Sequence, residues 1–266
     1  MNNFSPNMLK TFNDCPRKYY LKYIQQVSAP QRSLPFEKGK KIHALANYYL
    51  RGDDISKLEK TLNPEENATW QLLKSNEYLQ KKYINSEYNL SCKIEDFWIG
   101  GRIDALVQDE TGIYILDYKT GSIPQNPEMD YQTMVYLLAI NAFYKNAPKI
   151  YFVYIDLKNN KNYKIELTEE LKNKYTAQLI QICSVINKTS EFKRIETHCK
   201  YCECKKFCYS LIWQVFLSFL TLSQACAASF SPIGSAFIAA TRELTCSLDK
   251  LQENSSVFSF CVRISA

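Results

Sequence analysis

Gly100-Gly101-Arg102-Ile103-Asp104, followed by Ile115-Leu116-Asp117-Tyr118-Lys119-Thr120-Gly121, is the stretch on which fold and chemistry turn. Between these segments, Asp109-Glu110-Thr111-Gly112 is a turn signal separating two apolar, β-branched-rich runs. The pattern predicts an antiparallel hairpin. With Glu110 and Thr111 as a two-residue loop, Asp104 falls directly opposite Asp117. Directly opposed residues share a face, with Cβ atoms about 4.5–5.5 Å apart. Lys119, two residues further on, shares that face. Two carboxylates held that close repel, and one takes up a proton unless a cation lies between them. A hard divalent ion, Mg²⁺ or Mn²⁺, prefers oxygen ligands and fits such a pair. The neighbours Ile103, Ala105, Val107, Tyr114 and Leu116 are apolar on both faces, the pattern of a buried central strand. Charges there are costly unless paired. The alternative is a half-exposed hairpin with surface acids and a salt-bridging lysine. A loop one residue longer or shorter would slip the register and favour it.

Working outward, Ser5-Pro6 reads as a helix N-cap with proline at the first turn, and a short helix runs to about Phe12. Asn13-Asp14-Cys15-Pro16 interrupts it and Arg17 to Tyr23 resumes. Helical spacing covers residues 36–50 and 64–83. Strands are predicted at 88–97, 100–107 and 113–119, then a helix at 129–144. Strands at 150–155 and 163–167 precede a helix that Thr168-Glu169-Glu170 caps and that reaches about Ile186. Glu95, near a strand end, reads as an auxiliary acid or as a residue facing water. Arg17-Lys18-Tyr19-Tyr20-x-Lys22-Tyr23 reads as a guide for a nucleic-acid strand or as a solvated helix face.

Composition sets the class. At 46% hydrophobic residues the 266-residue chain is globular rather than disordered. A formal net charge of +6 permits nucleic-acid binding without establishing it. No charged segment followed by an apolar core opens the chain, so no secretory leader is expected. Ten cysteines without such a leader point to a reducing, cytoplasmic setting and to metal or redox use. No Gly-x-x-x-x-Gly-Lys-Ser/Thr loop is present, which excludes a P-loop motor on this chain.

The composition breaks near residue 210. All 19 tyrosines lie at or before Tyr209, and only Lys250 represents lysine after it. Residues 1–209 are therefore read as one domain and 210–266 as a tail of uncertain status. A helix with loose ends, a membrane anchor and frame-shifted sequence are the alternatives for the tail. Its most apolar part, Leu211 to Leu222, is shorter than the ~20 residues a spanning helix needs, so no membrane partner is expected.

A second chemical cluster is Cys199-x₂-Cys202-x₅-Cys208. Dense cysteines with short gaps indicate a metal site, and spacing alone does not choose Zn²⁺ or iron–sulfur. Three regularly spaced thiols leave one ligand missing, for which Cys15 is the candidate. Cys204 and His198 keep a local zinc site open. Cys92, Cys183, Cys226, Cys246 and Cys261 read as isolated, mostly buried residues.

Gly101-Arg102-Ile103-Asp104 and Leu116-Asp117-Tyr118-Lys119-Thr120-Gly121 closely resemble the paired motifs of the PD-(D/E)XK nuclease superfamily, in its RecB-type branch. The resemblance covers roughly residues 4–209. It implies an α/β, restriction-endonuclease-like mixed sheet flanked by helices, with a C-terminal cysteine-rich clasp. It implies Mg²⁺- or Mn²⁺-dependent phosphodiester hydrolysis, with DNA, single-stranded or at ends, as substrate. Asp104, Asp117 and the Tyr118 carbonyl would hold the ion, and His43, a helical histidine in the position the branch uses, would add a ligand. Lys119 would serve the reaction, as would Gln132 and Tyr136, which match the branch's Gln-x-x-x-Tyr pair. Tyr136 also suits an apolar helix face with Met129, Val135 and Leu138. The layout of Cys15 with Cys199, Cys202 and Cys208 resembles the branch's 4Fe–4S clasp. The branch includes CRISPR adaptation exonucleases and nuclease domains of helicase–nuclease complexes, which implies a helicase or CRISPR-adaptation partner. The rival from another class is a catalytically inactive DNA-end binding module.

Overall fold

The computed structural model describes residues 3–28 and 34–209. Along the chain run β1 (Asn3–Phe4), α1 (Pro6–Asp14), α2 (Pro16–Tyr19), α3 (Leu34–Leu50), α4 (Ser56–Glu59) and α5 (Pro64–Lys74). They are followed by β2 (Lys82–Ile94), β3 (Phe97–Asp109), β4 (Gly112–Lys119) and α6 (Tyr131–Phe143). β5 (Ile150–Asp156), β6 (Lys161–Glu166), α7 (Glu169–Lys188) and α8 (Lys205–Tyr209) complete the order.

The hairpin forms in the expected register. β3 and β4 pair antiparallel from Asp109↔Gly112 to Ala105↔Leu116, with Glu110 and Thr111 as the loop. β4 and β5 run parallel, from Ile113↔Ile150 to Lys119↔Asp156. A parallel pair needs a long crossover, which α6 provides. The sheet order is β1-β3-β4-β5-β6, with β2 pairing β3 as well.

Both faces of this mixed sheet are covered. Leu9 and Phe12 of α1, Val135 and Leu137 of α6, and Tyr175 and Leu179 of α7 pack with Leu106, Ile115 and Phe152. Ile42 and Leu45 of α3, with Trp70 and Leu73 of α5, pack with Ala105, Val107, Leu116 and Val153 on the other side. The near-continuous apolar runs of β4 and β5 follow from that double burial. This is the mixed sheet flanked by helices that the motifs imply.

Two boundaries differ from expectation. The helix predicted over 64–83 ends at Lys74, and Ser75 serves as its C-cap. The Asn76 side chain then accepts from Tyr78 N–H at 3.1 Å and opens a short 3₁₀ turn. Tyr78 and Leu79 carry the apolar spacing past the break, which is why the pattern reads as one helix. β2 consequently begins at Lys82, six residues earlier than predicted. The predicted tail, residues 210–266, lies outside the described residues, as do Cys226, Cys246 and Cys261. Among the described residues no helix is long and apolar enough to cross a membrane.

Candidate metal and catalytic site

The site lies where strand pairing breaks. β2 runs along one edge of β3. The other edge is shared: β4 pairs residues 105–109 and β1 pairs Trp98 and Ile99, leaving Asp104 just past the last β4 pair. The β2 ladder is irregular at the same level. Ser86↔Ala105 and Tyr88↔Ile103 are paired, while Glu87 and Asp104 between them are not. Glu87 takes a left-handed backbone, φ 47°. Regular alternation would put Ile103 and Ala105 on one face, yet they pack into opposite cores. The strand therefore rotates at Asp104, as strands do at bulges.

Four elements, α3, β3, β4 and α6, meet there. His43 of α3 places Nδ1 3.2 Å from Asp104 Oδ1 and Nε2 3.0 Å from the Tyr118 carbonyl. The Tyr118 N–H donates to Asp104 Oδ2 at 2.9 Å. Asp117 is 3% exposed, and Lys119 Nζ lies 2.7 Å from its Oδ2. From α6, Gln132 Oε1 accepts from Lys119 at 3.1 Å, and Gln132 Nε2 donates to Asp117 Oδ1. Asp130 caps α6, accepting from Gln132 N–H at 2.9 Å, and so sets where Gln132 starts. The Tyr136 hydroxyl donates to the Arg102 carbonyl at 2.9 Å. Tyr136 is thus a buried strut on the β3 backbone and a member of the apolar face of α6. It passes over Gly101, where an added Cβ would sit 2.8 Å from its hydroxyl.

Burial and charge set the protonation of these groups. Burial pushes the Asp117 carboxyl up to about 6, aided by Asp104 and opposed by Lys119. Burial disfavours the Lys119 ammonium, but Asp117, Asp104 and Asp130 outweigh it and hold its pKa above the usual lysine value. Burial likewise disfavours charged His43, and hydrogen bonding and attraction to Asp104, with Asp117 and the Tyr118 carbonyl, outweigh it. Both His43 partners are acceptors, so both ring nitrogens donate only as imidazolium. The site thus gathers the His43 imidazole, the Asp104 carboxylate and the Tyr118 carbonyl, with Asp117 beside them on Lys119 and Gln132. That donor set suits a hard or borderline divalent cation.

The hairpin reading brings together Asp104, Asp117, Tyr118 and Lys119, and His43 and Gln132 join them. Glu95 does not: it is exposed, in the turn between β2 and β3. Glu87 is the residue that sequence reasoning missed. Its carboxylate, that of Asp104 and a His43 ring nitrogen lie within 4.8 Å of one another. Nothing in Lys82-Tyr83-Ile84-Asn85-Ser86-Glu87 advertises a strand, so only the register across from Asp104 could have exposed it.

Away from this site, Cys15, Cys199, Cys202, Cys204 and Cys208 line a cavity together with His198 and Lys18. Cys15 follows α1 in extended backbone, 5% exposed, and Cys204 is 1% exposed. Of the basic segment, Tyr19 is fully buried while Lys18 and Lys22 approach Glu203 at 3.0 and 4.0 Å. Cys92 and Cys183 are buried singly, as expected.

Comparison with known proteins adds three findings. Residues 3–209 match the family model described as the PD-(D/E)XK nuclease superfamily. The CRISPR-associated exonuclease Cas4 of Francisella tularensis subsp. novicida (strain U112) is 27% identical over 123 residues, 46% of this chain. The match spans 61% of that relative's length, less than two thirds. A solved structure from Eubacterium rectale, provisionally assigned as an exonuclease, superposes with a TM-score of 0.51 at 10% identity. It covers 79% of this chain and 89% of that one, a likeness of fold alone.

Proposed function

The chain belongs to the PD-(D/E)XK nuclease superfamily, and on that premise we propose that it is a divalent-metal-dependent deoxyribonuclease that degrades DNA from single-stranded ends. The observation that carries this reading is the convergence of Asp104, His43 and Asp117–Lys119 around the Tyr118 backbone. Asp104, Asp117, His43 and the Tyr118 carbonyl would hold Mg²⁺ or Mn²⁺. Held there, the ion would supply Lewis acidity toward a phosphoryl oxygen. Lys119 orients the attacking water and offsets the charge that develops on the phosphate. Gln132 keeps Lys119 and Asp117 in place between reactions. Tyr136 fixes the β3 backbone beside Asp104.

The domain in this reading is residues 1–209, and the thiol cavity is its clasp. Cys15, Cys199, Cys202 and Cys208, which line that cavity together, would supply the four thiolates of a 4Fe–4S cluster. Joining Cys15 to Cys199 closes a loop of roughly 180 residues, which favours the folded state. A zinc site on Cys199, Cys202, Cys204 and Cys208 is the second reading, favoured by the place of Cys204 in the same cavity. The Francisella relative is named a CRISPR-associated exonuclease, which supports a CRISPR-linked partner, while the ten cysteines support a reducing, cytoplasmic setting. A helicase partner is the alternative.

The test is digestion of an end-labelled single strand beside a circular single strand, with Mg²⁺ or Mn²⁺ and with chelator. Metal-dependent loss of the linear strand alone is expected. Cutting of the circle would replace the exonuclease assignment with an endonuclease. No loss of either strand with any metal would leave a DNA-end binding module.

A further inference from the structure

Glu87 is not among the ligands named above, yet it faces the same site. Adjacent ligands of an octahedral ion with bonds of about 2.1 Å stand about 3 Å apart, and opposite ones about 4.2 Å. The donors of Glu87, Asp104 and His43, all within 4.8 Å of one another, are a small side-chain movement from sharing one ion. The backbone creates this encounter. Glu87 sits at the unpaired step opposite Asp104, in a left-handed conformation, φ 47°, that residues with a Cβ rarely adopt. Arg102, one strand across, holds Glu87 Oε2 at 2.9 Å through its Nε. A carboxylate has two oxygens and about four lone-pair sites, so that ion pair and an ion contact are compatible. All three donors are partly exposed, so a cation can reach them from solvent.

We infer that Glu87 is a further ligand of the catalytic cation, aimed by the left-handed step in β2 and oriented by Arg102. The inference rests on the proposed metal-dependent activity. A third carboxylate adds negative charge opposite the ion, so Glu87 governs how tightly the ion is held. Arg102 then acts as a positioning residue, of the outer-layer kind that tunes metal sites.

The experiment is calorimetric titration of the full chain with Mn²⁺ alone, for wild type, Glu87→Gln, Glu87→Gly and Asp104→Asn, with thermal melts of each in chelator. Glu87→Gln should weaken Mn²⁺ binding at least tenfold. Glu87→Gly should do the same while its melting temperature holds or rises, because glycine suits the left-handed backbone. A merely structural role predicts the reverse: earlier melting of Glu87→Gly with unchanged affinity. Wild-type binding that Asp104→Asn abolishes and both Glu87 variants leave intact overturns the role of Glu87 alone. A wild-type chain that binds no Mn²⁺ overturns the metal-dependent activity together with this role.

Discussion

Lys119 and Gln132 do for Asp117 what a bound cation does otherwise: they stabilise a carboxylate that burial would neutralise. Asp104, 3.2 Å from Nδ1 of His43, in turn favours the imidazolium form of that ring. Burial of Asp117, which outweighs Lys119, and the acceptors around His43 fix the sign of the pH dependence. Asp117 is raised to about 6 and His43 above its usual 6.5, so the folded, metal-free chain binds both protons more tightly than the unfolded chain does. The stability these protons contribute is present at acid pH and is lost as pH rises through those values. A metal ion must displace the same protons. The rise in melting temperature that Mn²⁺ causes should therefore grow as pH increases through about 6. Paired thermal melts check this, and equal Mn²⁺ shifts in mildly acidic and mildly alkaline buffer contradict it. Asp104, Asp117 and Lys119 were legible in sequence because a two-residue loop leaves one register. Glu87 was not, because its position depends on a skipped pair that no local pattern announces.

At the element scale, the approach of α6 to β3 decides whether the site assembles. Gly101 admits Tyr136, whose hydroxyl reaches the Arg102 carbonyl. Gly101→Ala should cost about 1–3 kcal/mol, since the new methyl overlaps a buried ring. Adding Tyr136→Phe should recover part of that loss, because the hydroxyl is the nearest clash. Denaturant unfolding of the single and double variants measures both, and simple additivity would show that the two side chains do not meet. Strands β3, β4 and β5 were readable from their apolar runs. The end of α5 was not, because Tyr78 and Leu79 stay buried after the helix has stopped and keep its spacing alive. That one misplaced boundary also covered Lys82 and Tyr83, the first two residues of β2.

Across the whole molecule, the two ends of the described fold meet. The Arg17 N–H donates to the Lys193 carbonyl at 3.1 Å, Lys18 pairs with Glu203, and Cys15 shares a cavity with Cys199, Cys202 and Cys208. Cys15→Ser should lower the melting temperature and remove the absorption at about 400 nm that an iron–sulfur cluster gives in anaerobically purified protein. A colourless wild-type chain carrying zinc would assign the cavity to Zn²⁺. The break at Tyr209 was legible as composition alone, and composition does not specify a fold. The central claim is that Asp104, Asp117 and Lys119 form one hydrolytic site. The most direct measurement is the rate of Mn²⁺-dependent degradation of end-labelled single-stranded DNA by wild type and by Lys119→Ala, with Mn²⁺ affinity measured for both. The account predicts a loss of about 10²–10³-fold in rate with Mn²⁺ binding retained; equal rates in the two proteins would contradict it.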